Sequence, residues 1–178
     1  MAINDAPILD WTDVTELPVG EIGEIVVSGD VVTHEYANRP EATAAAKIRG
    51  VDASGAEVVW HRMGDLGYLD GAGQLWFCGR KSERVETSTG RLYTDCVEGQ
   101  LASRCGGRRI ALVGLGVRGA ERPAICVEGV SDRPIAEALK SEGYSVFFRP
   151  AFPVDVRHNA KIHRLQLKAW AETQTALE

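Results

Sequence analysis

Gly79-Arg80-Lys81-Ser82-Glu83-Arg84-Val85, residues 79–85, divides this chain into two kinds of sequence. Upstream, short β-branched and aromatic runs are punctuated by Gly and Asp; downstream, apolar strands alternate with helical periodicity. The pattern predicts an α+β protein, with a small antiparallel β subdomain over residues 1–79 followed by an α+β domain over residues 80–178. A polar stretch at such a junction is either a solvated connector or a hinge, since a few loop residues can absorb a large dihedral change.

Working outward, Glu24-Ile25-Val26-Val27-Ser28-Gly29 reads as a strand closed by Gly29 and Asp30. The Arg39-Pro40 step starts a short helix over Glu41 to Arg49, and Val58 to His61 is a further strand. Asp70-Gly71, between the apolar stretches Leu66 to Leu69 and Leu75 to Cys78, signals a hairpin. Past the junction, Val97 and Leu101 sit at helical spacing within Asp95 to Arg104. Ile110 to Val117 is a buried strand with Pro123 to Glu128 as its neighbour. Pro134 to Glu142 and His163 to Thr173 are amphipathic helices.

The composition is that of a globular protein, with 44% hydrophobic and 25% charged residues among 178. No apolar run approaches the roughly 18–20 residues of a membrane span, so no transmembrane segment is expected. No basic stretch followed by an apolar one opens the chain, and a cytoplasmic location is the expectation. The net charge is −5 and the basic residues are scattered, which argues against a nucleic-acid partner. Cys78, Cys96, Cys105 and Cys126 form no CxxC pair and are expected as free, mostly buried thiols. His158 and His163 are five apart rather than four, so no metal site is expected there.

Four stretches carry chemistry. Gly23 to Gly29, continuing through Tyr36, Asn38, Arg39, Pro40, Glu41 and Thr43, is by itself a strand, a loop and a helix start. In His61-Arg62-Met63-Gly64-Asp65-Leu66-Gly67-Tyr68, Gly64-Asp65 reads as a turn. The functional alternative is a carboxylate presented where glycine lets the backbone approach a ligand, placed to accept the two hydroxyls of a ribose. The third is the junction, followed by Gly90-Arg91-Leu92-Tyr93. In the fourth, Phe152 to Arg164, Lys161 is either a solvated surface lysine or an ammonium able to neutralise charge between a carboxylate and a phosphate.

In this order the four stretches resemble the adenylate-forming superfamily, which includes acyl-CoA synthetases, fatty acyl-AMP ligases, luciferases and peptide-synthetase adenylation domains. Residues 20–43 look like its GELxIxGxxVxxGYxxRPExT segment, with His34-Glu35-Tyr36 where Gly-Tyr is usual. Residues 63–65 look like its TGD motif, with Met63 for Thr. Residues 79–90 look like its hinge motif GRxDxxxxxxG, with Ser82 for Asp or Lys. Residues 155–164 look like its closing GKxxR motif, with Ala160 for Gly. The resemblance implies that Lys161 is the catalytic lysine, with Arg164 trailing it. It further implies that Asp65 binds the ribose of ATP, Arg80 contacts the nucleotide, and Ser82 is the pivot of a mobile C-terminal lid.

The cofactors so implied are ATP and Mg²⁺, and the substrate is a fatty or β-hydroxy fatty acid. HRMGDLGYLD, LWFCGRKSERV and VDVRHNAKI look most like the β-lactone synthetase branch of bacterial olefin biosynthesis. A Ser/Thr/Gly-rich phosphate loop ending in Pro-Lys, an acyl pocket and a YGxTE-like motif do not occur in the sequence. The expectation is therefore a C-terminal part of an AMP-forming ligase, whose N-terminal adenylation domain is its partner and which is nearly inert alone. A fatty acyl-CoA synthetase or acyl-AMP ligase fragment, a non-catalytic interaction module derived from one, and an unrelated pair of domains are the alternatives.

Overall fold

The structure, a computed structural model, describes residues 1–155 and 158–174, and for residues 158–160 the backbone alone. Val156 and Arg157, within the closing motif, lie outside the described residues. The chain forms two compact units, residues 1–82 and 83–178. Arg80 and Lys81 pair with Asp65 and Glu24, both in the first unit.

The first unit is a four-stranded antiparallel sheet built on one long strand. Its strands are β1 (Gly23–Val27), β2 (Lys47–Val51), β3 (Glu57–Leu69) and β4 (Leu75–Arg80), with helix α1 (Pro40–Ala46) before β2. β1 pairs with β3 from His61 to Gly67, β2 pairs with β3 from Glu57 to His61, and β4 with β3 from Asp65 to Leu69. A strand has only two edges, so β2 and β4 follow one another along the edge opposite β1. The hairpin expected at Asp70-Gly71 is present. Asp70 Oδ1 accepts the N–H groups of Ala72 and Gln74, each at 2.9 Å, which closes the loop.

The helix expected over Glu41 to Arg49 ends at Ala46, and Lys47 to Val51 is strand β2. The alanines favour helix, but Lys47 and Ile48 are buried against β3, and that packing overrides local propensity. Nor is Gly64-Asp65 a turn after a strand that ends at His61, since β3 runs through it.

The second unit is a three-stranded sheet, order β7-β8-β9, covered on both faces. A small hairpin, β5 (Val85–Thr87) with β6 (Gly90–Leu92), leads to helix α2 (Thr94–Leu101). Then come β7 (Ile110–Leu115), β8 (Arg122–Glu128), α3 (Arg133–Ser141) and β9 (Ser145–Arg149). The short pair β10 (Val154–Asp155) and β11 (His158–Ile162) precedes α4 (Arg164–Glu172). β7 and β8 are antiparallel, whereas β8 and β9 are parallel and joined through α3.

Strand alternation sorts the core. Ile110, Leu112, Ile125, Val127 and Val146 pack with Val97 and Leu101 of α2 and with Ala136 and Leu139 of α3. Ala111, Val113, Ala124, Cys126 and Phe147 pack on the other face with Leu167 and Ala171 of α4. A strand buried on both faces reads as a continuous apolar run, which is why IALVGL was legible as a strand. Cys78, Cys105 and Cys126 are buried, and all four cysteines are thiols outside any disulfide. Burial pushes the Cys126 thiol up to about 12, so it is inert as a nucleophile.

One buried acid in this unit carries a pH dependence. Glu121 accepts the Glu86 N–H at 2.8 Å and the Lys168 ammonium at 2.9 Å. Burial acts to raise its carboxyl, but these donors outweigh it and hold the carboxyl below its ordinary value. The folded-state value then lies below the unfolded one. The carboxylate therefore stabilises the fold above the ordinary carboxyl range, and that contribution is lost as pH falls through the lowered value. Glu121→Gln is expected to flatten the acid limb of a urea-stability curve; an unchanged limb would refute the assignment.

Candidate active site

Asp65 stands on a bulge rather than a turn. Glu24 faces Leu66 and Val26 faces Arg62, so β3 advances four residues while β1 advances two. The surplus falls on Met63-Gly64-Asp65, where Gly64 takes φ +68°, a conformation that costs other residues about 1–2 kcal/mol. On the other edge Asp65 lies directly opposite Arg80, the last residue of β4. Arg80 Nη1 is 2.8 Å from Asp65 Oδ1, an ion pair by distance. That oxygen is nevertheless screened from solvent without a well-aligned hydrogen-bond donor. Distance and alignment disagree here, and alignment decides whether a hydrogen bond exists. Arg80 is half exposed, so its charge is near but its fork is not locked on the carboxylate.

Behind this edge, one buried carboxylate ties three of the motif stretches together. Glu24, 2% exposed, receives Arg62 Nη2 at 2.7 Å and Lys81 Nζ at 3.0 Å. Arg62, itself 5% exposed, also donates to the backbone carbonyls of Asn4 and Ala6. Glu24 comes from the first stretch, Arg62 from beside Met63-Gly64-Asp65, and Lys81 from the junction. Their order in sequence thus becomes one contact in space. Ser82 is exposed, within the single 3-10 turn Lys81–Glu83.

In the second unit Lys161 lies on β11, side chain exposed, and makes no hydrogen bond or ion pair among the described residues. Arg164, three residues on, opens α4 and is the opposite case. Its Nη1 and Nη2 meet the two carboxylate oxygens of Glu98 at 2.6 and 3.0 Å. Its Nε meets Glu83 Oε2 at 2.9 Å. Burial pushes the Glu98 carboxyl above its ordinary range, with Arg164 opposing. Burial acts to lower the Arg164 guanidinium, but Glu98 and Glu83 outweigh it and hold it protonated. The forked geometry is that of an ionised pair.

Of the residues singled out from sequence, the structure brings Asp65 and Arg80 together and places Lys161 in the second unit. Sequence reasoning missed Glu24, Arg62, Glu98 and Glu83. The signal available was a set of charged residues flanking each motif, which without partners in view reads as surface. Among the described residues no cluster of three His, Cys, Asp or Glu side chains could hold a metal ion. No helix of the described residues is long and apolar enough to cross a membrane.

The backbone matches o-succinylbenzoate CoA synthetase from Bacillus subtilis, solved in complex with its acyl-adenylate intermediate. The TM-score is 0.67 at 25% identity, over 97% of this chain and 34% of that one. In backbone and in the order of its motifs the chain is similar to adenylate-forming ligases over about a third of their length. No protein-family model matches it. It is 51% identical to an olefin beta-lactone synthetase of Stenotrophomonas maltophilia (strain K279a) and 48% identical to one of Xanthomonas campestris pv. campestris. Each comparison covers 98% of this chain and 34% of the relative, so the chain spans about a third of the length of these proteins.

Proposed function

We propose that this chain is the C-terminal part of an ATP-dependent, AMP-forming ligase that activates a β-hydroxy fatty acid and closes it to a β-lactone. The substrate carboxylate attacks the α-phosphate of ATP, giving an acyl-adenylate and pyrophosphate. Lys161 carries the positive charge that stabilises this displacement. The substrate's own β-hydroxyl then attacks the acyl carbonyl, AMP leaves, and the hydroxyl proton is released. An internal nucleophile held close needs no second substrate, which gives the step its advantage. ATP enters as its Mg²⁺ complex; the described residues offer no cluster for the ion, and no step is assigned to it.

The observation that carries the reading is Asp65 Oδ1, a screened carboxylate oxygen without an aligned donor. Such atoms are uncommon in native proteins, and this one has only the half-exposed Arg80 guanidinium 2.8 Å away. The ribose hydroxyls of ATP would supply an aligned donor, with Arg80 beside them. The similarity to two olefin beta-lactone synthetases supports the lactone step over transfer to a thiol. Removing a charged hydrogen-bond partner costs about 1.5–3 kcal/mol. In the complete ligase, Asp65→Ala is accordingly expected to raise the KM for ATP about 10–100-fold. It should also narrow the preference for ATP over 2′-deoxy-ATP, measured by pyrophosphate exchange. A variant that keeps the full preference would remove Asp65 from the ribose site.

A further inference from the structure

We infer that Arg164, clasped by Glu98, is the positioning residue that fixes where Lys161 stands. The inference rests on the proposed role of Lys161 and adds to it the group that aims the lysine. Only Ile162 and His163 separate the two residues, so the chain between them spans at most about 10 Å. Lys161 is exposed and makes no polar contact among the described residues, so nothing described at its own side chain fixes it. Its placement must come from the backbone at either end of β11.

The downstream end is held by a closed set of contacts. Glu98 Oε1 accepts the Leu112 N–H at 2.7 Å, and Arg164 Nη1 donates to the Leu112 carbonyl at 3.2 Å. β7 is an edge strand, and at Leu112 the paired side chains take the place that a neighbouring strand would fill. The guanidinium therefore binds three elements at once: α2 through Glu98, the sheet edge through Leu112, and the residue after Ser82 through Glu83 Oε2. The same downstream end is also held by the backbone bond from His163 N to Pro153 O at 2.8 Å and by the pairing of Ile162 with Val154. Below Arg164, Leu167 and Ala171 bury the apolar face of α4. A lysine could supply the charge at position 164 but not the planar fork that these acceptors use.

The test uses the complete ligase with Arg164→Lys, Glu98→Gln and, as reference, Lys161→Ala. Arg164→Lys and Glu98→Gln are expected to lower kcat for pyrophosphate exchange about 10–100-fold, as misplacement of a reacting group by about 1 Å does. KM for ATP should stay within about twofold, because neither residue is proposed to touch the nucleotide. Amide exchange at Ile162 and His163 should speed up about tenfold or more while the amides of β8 stay protected, which separates loss of aim from loss of fold. Unchanged kcat, or β8 and β11 losing protection together, would overturn the inference. If Lys161→Ala itself kept full exchange activity, the functional reading beneath would fail instead. That result is told apart because the amide measurement does not depend on catalysis.

Discussion

Lys161→Ala, made in the complete ligase, is expected to lose about 10²–10³ of its ATP–pyrophosphate exchange rate while binding ATP nearly as tightly as the parent. The expected size is that of removing the one charge proposed to stabilise the displacement at the α-phosphate. The structure makes the experiment interpretable, since Lys161 is exposed and holds no ion pair or hydrogen bond among the described residues. Surface substitutions of that kind change stability by about 0.5 kcal/mol or less. A thermal melt of the variant should therefore overlay that of the parent. Exchange activity within a few fold of the parent would remove Lys161 from the chemistry.

The second large effect is on stability. Glu24→Ala is expected to destabilise the first unit by about 3–5 kcal/mol, the usual consequence of stranding a buried charge. Arg62 would be left 5% exposed and without its carboxylate, and Lys81 would lose the same partner. The chain has two compact units, and a single unfolding free energy is not well defined for such a protein. Site-resolved amide exchange is better: residues of β1 and β3 should lose protection while β7 and β8 keep theirs. Replacing Glu24 and Arg62 together by leucine and methionine should recover part of the loss, because an apolar pair strands less charge than a broken one. Full protection in Glu24→Ala would show that the backbone carbonyls of Asn4 and Ala6 suffice for Arg62.

What could be read from sequence follows from how local each feature is. The Asp70 hairpin was legible because its loop is closed by its own aspartate within four residues. β7 was legible because burial on both faces leaves an unbroken apolar run. The bulge at Met63-Gly64-Asp65 was not, because it exists only relative to β1, some forty residues away in the chain. β2 was hidden by an alanine run whose propensity points to helix. The pairings of Glu24 with Arg62 and of Glu98 with Arg164 link residues 38 and 66 positions apart, and a charged residue does not disclose its partner at that range. The motifs carried the expectation of chemistry, then, while the charged pairs behind them were visible only in three dimensions.

Where Arg80 and Lys81 place their side chains bears on how the protein is taken apart. A cut before Arg80 would look natural, since the sequence changes character there. It would hand the downstream piece two cations whose anions, Asp65 and Glu24, stay with the upstream one. The upstream product would keep Arg62 on the buried carboxylate of Glu24 but lose Lys81 from it, and its last strand would end short of Arg80. Dividing between Ser82 and Glu83 leaves each fragment with its own counter-ions. Glu83 then travels with Arg164, and the two products are the pieces most apt to be expressed, labelled and recombined.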